Sequence, residues 1–186
     1  FPAKMLTIMS TDVPGDDPAV IASGPTVPDP TTFADACSVV EKYALNIPDS
    51  IKAHLNAADN ETPKPDDPVF ADSELVFAAK PDKSIAAAAE VAREAGLAII
   101  DLGDLLEGEA RDLGREHAEL AMACKAGKGP AKPPCVILSG GETTVTMRGN
   151  GRGGRNTEYL LGIADRLAGA EDIYAVACDT DGVDGS

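Results

Sequence analysis

Glycines at positions 140, 141, 149, 151, 153 and 154 divide the stretch Leu138–Ile163 and decide where regular structure can run. Glycine inside a helix or strand is costly, whereas in turns it supplies backbone shapes closed to other residues. The apolar run Cys135–Leu138 therefore reads as a strand that ends at the first glycine pair, with a second strand over 143–147. A helical pattern takes over from about Arg155. Arg148, Arg152 and Arg155 sit among the later glycines, although the whole chain has 16 Lys+Arg against 31 Asp+Glu. Glycine-rich backbone can aim successive N–H groups at one point, and a helix N-terminus adds partial positive charge. Guanidinium groups fit carboxylate or phosphate oxygens. The stretch reads as an anion-binding loop for a small phosphorylated or carboxylated molecule.

Elsewhere, apolar runs alternate with amphipathic helical patterns. Residues 3–9 read as a buried strand, followed by the polar turn TDVPGDDP with Asp12, Asp16 and Asp17. Thr32-x-x-Asp35 resembles a capping box for a helix whose apolar face is Phe33, Cys37, Val40 and Ala44. A shorter helix spans 49–57, and Asn60 to Pro68, rich in proline and charge, reads as a linker. Strands follow at 75–79 and 97–101, with helices at 83–95 and 107–125 and a Gly/Pro/Lys loop at 127–134. A helix over 155–168, a strand over 173–178 and an acidic loop over 179–185 complete the order. This order predicts an α/β fold: a largely parallel sheet, mixed pairing allowed, with helices on its faces. Ligands in such sheets bind beyond the carboxyl ends of strands. That rule singles out TDVPGDD, SGGE with the Gly/Arg loop, and CDTDGVDG.

A net charge of −15 argues against a nucleic-acid partner, since phosphate backbones need a basic footprint. No apolar run approaches the roughly 18 residues of a membrane span, so no membrane partner is expected. Cys37, Cys124, Cys135 and Cys178 show no CxxC spacing and read as buried free thiols of a cytoplasmic protein. His117 falls on the stripe Ala110, Leu113, His117, Leu120, Cys124 and reads as a packed structural histidine. His54 lies on a surface helix. The chain opens on Phe1 and stops at Asp184-Gly185-Ser186 inside an acidic loop, which reads as a piece of a longer protein.

Gly149-x-Gly151-x-x-Gly154 matches the dinucleotide fingerprint, but Arg152 and Arg155 suit a discrete anion better than a close-packed pyrophosphate turn. Asp179, Asp181 and Asp184 suit three uses: holding Mg²⁺, supplying a general base, or capping the next helix.

Taken together, TDVPGDDPAVIASGPTVPDPTTFADA, ETPKP, LSGGETTVTMRGNGRGGRNTE and TDGVDG resemble the class II glycerate kinases. In that family a DUF4147 part precedes a MOFRL module, and similar bacterial members often carry the name hydroxypyruvate reductase. The resemblance runs through most of the chain. It implies residues 1–60 as the end of the DUF4147-like domain, 61–68 as linker, and 69–186 as a C-terminal α/β domain with MOFRL from about 135. It also implies ATP-dependent phosphorylation of the 2-hydroxyl of a small hydroxy acid, with Mg²⁺, in the cleft of a two-lobed parent. Arg155, Asp181 and Asp184 are then the catalytic candidates. Ser139, Gly140, Gly141, Glu142, Arg152, Gly153, Gly154, Asn156 and Asp12 are candidates for substrate or phosphate binding, and Asp16 and Asp179 for the metal.

Two departures stand out. Where many relatives carry a Gly-Asp-Asn turn, this chain has Ala79-Lys80-Pro81-Asp82, and the family's N-terminal Gly-rich turn and lysine are not among these residues. A polypeptide of these residues alone is expected to hold part of the site and to be inactive. The competing readings are an NAD(P)H-dependent hydroxypyruvate reductase, which needs a proton donor such as histidine, and a noncatalytic sugar-acid-binding module. Oligomeric state is left open, a dimer among the options.

Overall fold

A computed structural model describes residues 3–180 and 182–185. Contacts divide them into two compact units: residues through Ser10 with Asp16–Ala78, and Thr11–Gly15 with Ala79 onward. In the first unit, β1 (Met5–Ser10) pairs with β2 (Ser73–Ala79), and the Met5 N–H donates to the Asp72 carbonyl at 3.2 Å. The capping box forms as its sequence predicts. Thr32 Oγ1 accepts from the Asp35 N–H at 3.3 Å, and the Asp35 carboxylate accepts from the Thr32 N–H at 2.9 Å, starting α1 (Phe33–Lys42). Phe33, Cys37 and Val40 form its less exposed side, but Ala44 lies beyond the helix end with φ +47°. Helix α2 spans Asp49–Ala57.

Residues 61–64 have no regular structure, yet they are tied down. Glu61 accepts from the Phe33 N–H at 2.7 Å, satisfying one of the N–H groups that a helix start leaves open. Thr62 donates to Asp29 at 2.9 Å, the Asp29 N–H donates to the Pro63 carbonyl at 3.0 Å, and Lys64 pairs with Glu61 at 2.8 Å. The ETPKP stretch thus braces the start of α1.

In the second unit, α3 (Pro81–Glu94) begins ahead of the expected Lys83, because proline at the first helical position needs no N–H and has its φ preset. β3 (Ala98–Asp101) runs parallel to β5 (Cys135–Leu138), in register from Ala98↔Cys135 to Asp101↔Leu138. β4 (Leu106–Glu109) runs parallel to β6 (Gly141–Thr144), from Leu106↔Gly141 to Glu109↔Thr144. The fold is mixed α/β with parallel pairing, although the described strands make three separate two-stranded ladders instead of one continuous sheet.

Further differences from expectation have identifiable causes or consequences. Helix α4 (Ala110–Lys125) starts after Glu107, since Gly108 at φ +130° cannot be helical and its stretch pairs with β6 instead. β6 starts at Gly141 and ends before 147: its partner strand stops at Glu109, whose carboxylate takes the Thr146 N–H at 3.0 Å and the Thr146 hydroxyl at 2.9 Å. Residues 173–178 join no ladder, and Tyr174 and Val176 are 91% and 88% exposed. The thiols also differ from expectation. All four cysteines are free, but only Cys124 is buried; Cys37 and Cys135 are half-buried and Cys178 is exposed.

The core of this unit is the crossing of α4 with α5 (Arg155–Leu167). A Cβ at Gly162 would stand 2.3 Å from the Arg111 carbonyl oxygen, and one at Gly114 2.2 Å from the Tyr159 carbonyl oxygen. The helices therefore touch backbone to backbone, with Ala110, Ala118, Cys124 and Ile163 buried. Arg111 with Glu158, Arg115 with Asp165 (2.9 Å) and Arg166 with Glu119 (2.8 Å) flank the seam. The pairs ascend together along both helices, so the two run in the same direction.

Gly162→Ala is expected to lower unfolding free energy by about 1–3 kcal/mol through overpacking. This should hold although alanine is the better helix former by about 1 kcal/mol. Urea denaturation measures it, and an increase in stability would contradict the close crossing.

Candidate functional site

Helix α5 positions the site, and its first turn carries the main electrostatic feature. Gly154, the N-cap, offers no side chain. The carboxylate of Asp184 takes that place from a distant loop, accepting the Asn156 N–H at 2.9 Å and the Thr157 N–H at 2.8 Å, with the Thr157 hydroxyl as a further donor. The Thr157 hydroxyl first, and then the helix N–H groups, hold the Asp184 carboxyl below the usual carboxylate range, outweighing the opposing effect of burial. This approach requires glycine on both sides: a Cβ at Gly154 would lie 2.3 Å from Asp184 Oδ1, and one at Gly185 2.2 Å from the Gly153 carbonyl oxygen.

The guanidinium of Arg155 sits between two further acids. It pairs with Glu142 on β6 and lies 3.8 Å from Asp179, which is 17% exposed. Three sequence motifs thereby meet around one arginine: SGGE through Glu142, the Gly/Arg loop through Arg155 itself, and DTDGVDG through Asp179 and Asp184. Beside them lies an open cleft of about 270 Å³ lined by Asn156, Thr157, Leu160, Cys178, Asp179 and Asp184, among others.

Other candidates have different places. Gly140 and Gly141 serve the local backbone: the Gly140 N–H donates to the Gly103 carbonyl at 2.8 Å, and a Cβ at Gly141 would lie 2.1 Å from the Leu106 carbonyl oxygen. Ser139 follows β5 directly and is exposed. Arg152 and Gly153 are exposed on the loop before α5. Asp12 is exposed in the Thr11–Gly15 turn and takes no part in the contacts around Arg155, while Asp16, with φ +51°, belongs to the other compact unit. Asp181 lies outside the described residues.

The first turn of α5 was expected to be open to a bound anion; instead the chain's own Asp184 fills it. The sequence shows three aspartates that could cap, but not that the partner would be the preceding helix. Thr157 lies inside the LSGGETTVTMRGNGRGGRNTE stretch but is not among the candidates the sequence singles out. Nor is Glu109, whose bonds to Thr146 pin the near end of the Gly/Arg loop and lower its carboxyl below the usual range.

The dinucleotide reading meets two physical obstacles. A fingerprint loop joins strand to helix in a tight turn with the pyrophosphate at the helix N-terminus. Here β6 ends at Thr144, well before α5 begins at Arg155, and a carboxylate holds the position the pyrophosphate needs. Among the described residues no three His, Cys, Asp or Glu side chains converge into a metal-holding group.

Comparison with known proteins agrees with the motifs. Residues 1–56 match a domain of unknown function, DUF4147, and residues 135–186 match the MOFRL family. A protein of Agrobacterium vitis named “Putative hydroxypyruvate reductase” is 50% identical over 100% of this chain and 42% of its own length. The D-glycerate 2-kinase of Thermotoga maritima is 38% identical over 100% of this chain and 43% of its own length. A crystal structure of glycerate kinase from Thermotoga maritima superposes with a TM-score of 0.78 at 37% identity, over 92% of this chain and 40% of that one. The chain thus spans about two fifths of the length of the relatives it matches. No helix among the described residues is long and apolar enough to cross a membrane.

Asp184→Ala is expected to cost about 0.5–2 kcal/mol at neutral pH, the usual range for a lost N-cap. Because the folded carboxyl titrates below its unfolded value of 3.8, its contribution is complete above that value. It disappears as pH falls through the folded value. Denaturation of both proteins between neutral pH and pH 3 should show the gap closing on the acid side; a gap that is constant or widens on acidification would contradict the cap.

Proposed function

We propose that this chain, a member of the family that joins DUF4147 to a MOFRL module, is part of a glycerate 2-kinase that moves the γ-phosphoryl group of ATP onto the 2-hydroxyl of glycerate. The observation that supports it most is the convergence of SGGE, GRGGR and DTDGVDG on Arg155. Phosphoryl transfer asks a protein mainly for positioning and charge neutralisation, which a fixed guanidinium among rigid loops supplies. Glutamate 142 and Asp179 hold Arg155 from two sides while 40% of its side chain stays exposed, so donors remain for a two-point grip on the glycerate carboxylate. Arg152, on the exposed loop before α5, is assigned to the phosphates.

The substrate hydroxyl attacks the γ-phosphorus, the bond to the ADP oxygen breaks, and the hydroxyl proton passes to a carboxylate. In this proposal Asp181 takes that proton. Asp184 is a positioning group, because a carboxylate already accepting two N–H groups and a hydroxyl is a weak base. Magnesium commonly accompanies ATP, but the described acids do not supply a donor set for it. Asp184 is spent on α5, Asp179 and Glu142 hold Arg155 from two sides, and no three of the described acids converge on one point, so no step is routed through the metal.

The reductase reading fares less well on the same geometry. His117 packs against Tyr159 between α4 and α5, with Nδ1 2.7 Å from the tyrosine hydroxyl, so it is engaged in the helix seam and not offered beside Arg155 as a proton donor.

In the intact protein, Arg155→Lys should lower kcat/KM for glycerate roughly ten- to hundredfold, since lysine keeps the charge but loses the planar fork. Steady-state kinetics with ATP, paired with thermal unfolding, decides the matter. Unchanged kcat/KM with reduced stability would make Arg155 a loop brace and remove it from the site.

A further inference from the structure

Three consecutive residues at the start of α4 hold both ends of the Gly/Arg loop. The β4–β6 ladder stops at Glu109↔Thr144, so the Thr146 N–H has no strand residue opposite it. The Glu109 side chain takes the strand's place: Oε1 accepts that N–H at 3.0 Å, and Oε2 accepts the Thr146 hydroxyl at 2.9 Å. Glu109 stands at the N-cap of α4, yet its carboxylate bonds none of that helix's first N–H groups among the described residues. Ala110 is fully buried. Arg111 then reaches α5, donating from Nε to Glu158 at 2.7 Å, while its carbonyl oxygen would lie 2.3 Å from a Cβ at Gly162. Between these two anchors run residues 147–154, with Arg148 and Arg152 exposed and no helix or strand of their own.

We infer that Glu109 is a positioning residue for phosphate binding: its carboxylate closes the near end of the Gly/Arg loop onto the same stretch of α4 that holds the far end. The assignment rests on the kinase reading in one respect, that Arg152 on this loop meets the phosphates. A loop tied at one end samples many shapes, and gripping a polyphosphate would then cost the entropy of closing it. Tying both ends to one helix removes much of that cost before the ligand arrives. The Thr146 N–H first, and then its hydroxyl, hold the Glu109 carboxyl below the usual carboxylate range, so at neutral pH both its oxygens are acceptors. The charge of Glu109 separates a tether from a bystander. An acid that merely stood near a phosphate site would repel the ligand, so removing it would tighten binding. Removing a tether weakens binding. The two roles predict changes of opposite sign.

The test compares wild type with Glu109→Ala, Glu109→Gln and Thr146→Val in the intact protein. Inorganic tripolyphosphate is the binding probe, read by calorimetry, alongside kinetics with glycerate and ATP and amide hydrogen exchange. Glu109→Ala should raise Kd for tripolyphosphate and KM for ATP roughly three- to tenfold, with kcat and KM for glycerate little changed. Exchange at the Thr146 amide should speed roughly tenfold while amides within α4 and α5 keep their rates. Glu109→Gln should recover most of both effects, because its amide oxygen can accept the Thr146 N–H and its NH₂ can donate to the hydroxyl. Unchanged or tighter tripolyphosphate binding in Glu109→Ala would overturn the inference. So would unchanged exchange at Thr146, equal acceleration throughout α4 and α5, or no recovery by glutamine. Wild type that binds no tripolyphosphate would overturn it too. If Glu109→Ala does not fold, Thr146→Val decides, since it removes one bond and leaves α4 untouched. Its binding should weaken roughly two- to fivefold, and binding as tight as wild type would overturn the inference. If tripolyphosphate binding follows this pattern but wild type does not phosphorylate glycerate, the kinase reading falls alone.

Discussion

The backbone contact between α4 and α5 is the constraint on which the arrangement around Arg155 depends. Gly114 and Gly162 let each helix reach the other's carbonyl oxygens, closer than any side chain would permit. That contact sets where α5 starts, because a helix is a rigid rod once one turn is held. The start of α5 in turn fixes Arg155 and presents Asn156 and Thr157 to Asp184. Two of the ion pairs along the seam, Arg115–Asp165 and Arg166–Glu119, are exposed and contribute little individually, and Arg111–Glu158 is half-buried. The glycines do the holding.

Much of this order is legible from local chemistry. The Thr32/Asp35 box, the helix over 49–57, the strand over 135–138 and the start of α5 depend on residues close in sequence, and they appear where those residues put them. Boundaries set by pairing are less legible. Nothing near Glu107 announces that it will lie opposite Glu142, so a helical pattern there looks uninterrupted until Gly108 takes φ +130°. The stretch 173–178 has the composition of a strand, but a strand exists only through a partner, and no described strand pairs with it.

The site divides the same way. The gathering of SGGE, GRGGR and DTDGVDG is readable from strand order, because loops after parallel strands share one edge. The use of Asp184 is not. Its partners lie 27 and 28 positions away along the chain, and only the fold brings a carboxylate to a helix start that sequence marks as an anion site. In the structure the protein's own Asp184 carboxylate takes that position. Filling that position with a fixed carboxylate stabilises α5, while part of the Arg155 side chain stays open.

Kinase and reductase names both occur among the relatives, and they demand opposite things of this geometry. A reductase needs the helix start free for a dinucleotide; a kinase needs it rigid. The most direct measurement follows the fate of phosphorus and hydride in parallel with the intact protein. Phosphorus NMR monitors ATP with glycerate, and absorbance monitors NADH with hydroxypyruvate. The account predicts growth of a 2-phosphoglycerate resonance with matching loss of the ATP γ-phosphate signal, and no NADH consumption. Steady NADH oxidation with an unchanged phosphorus spectrum would contradict it.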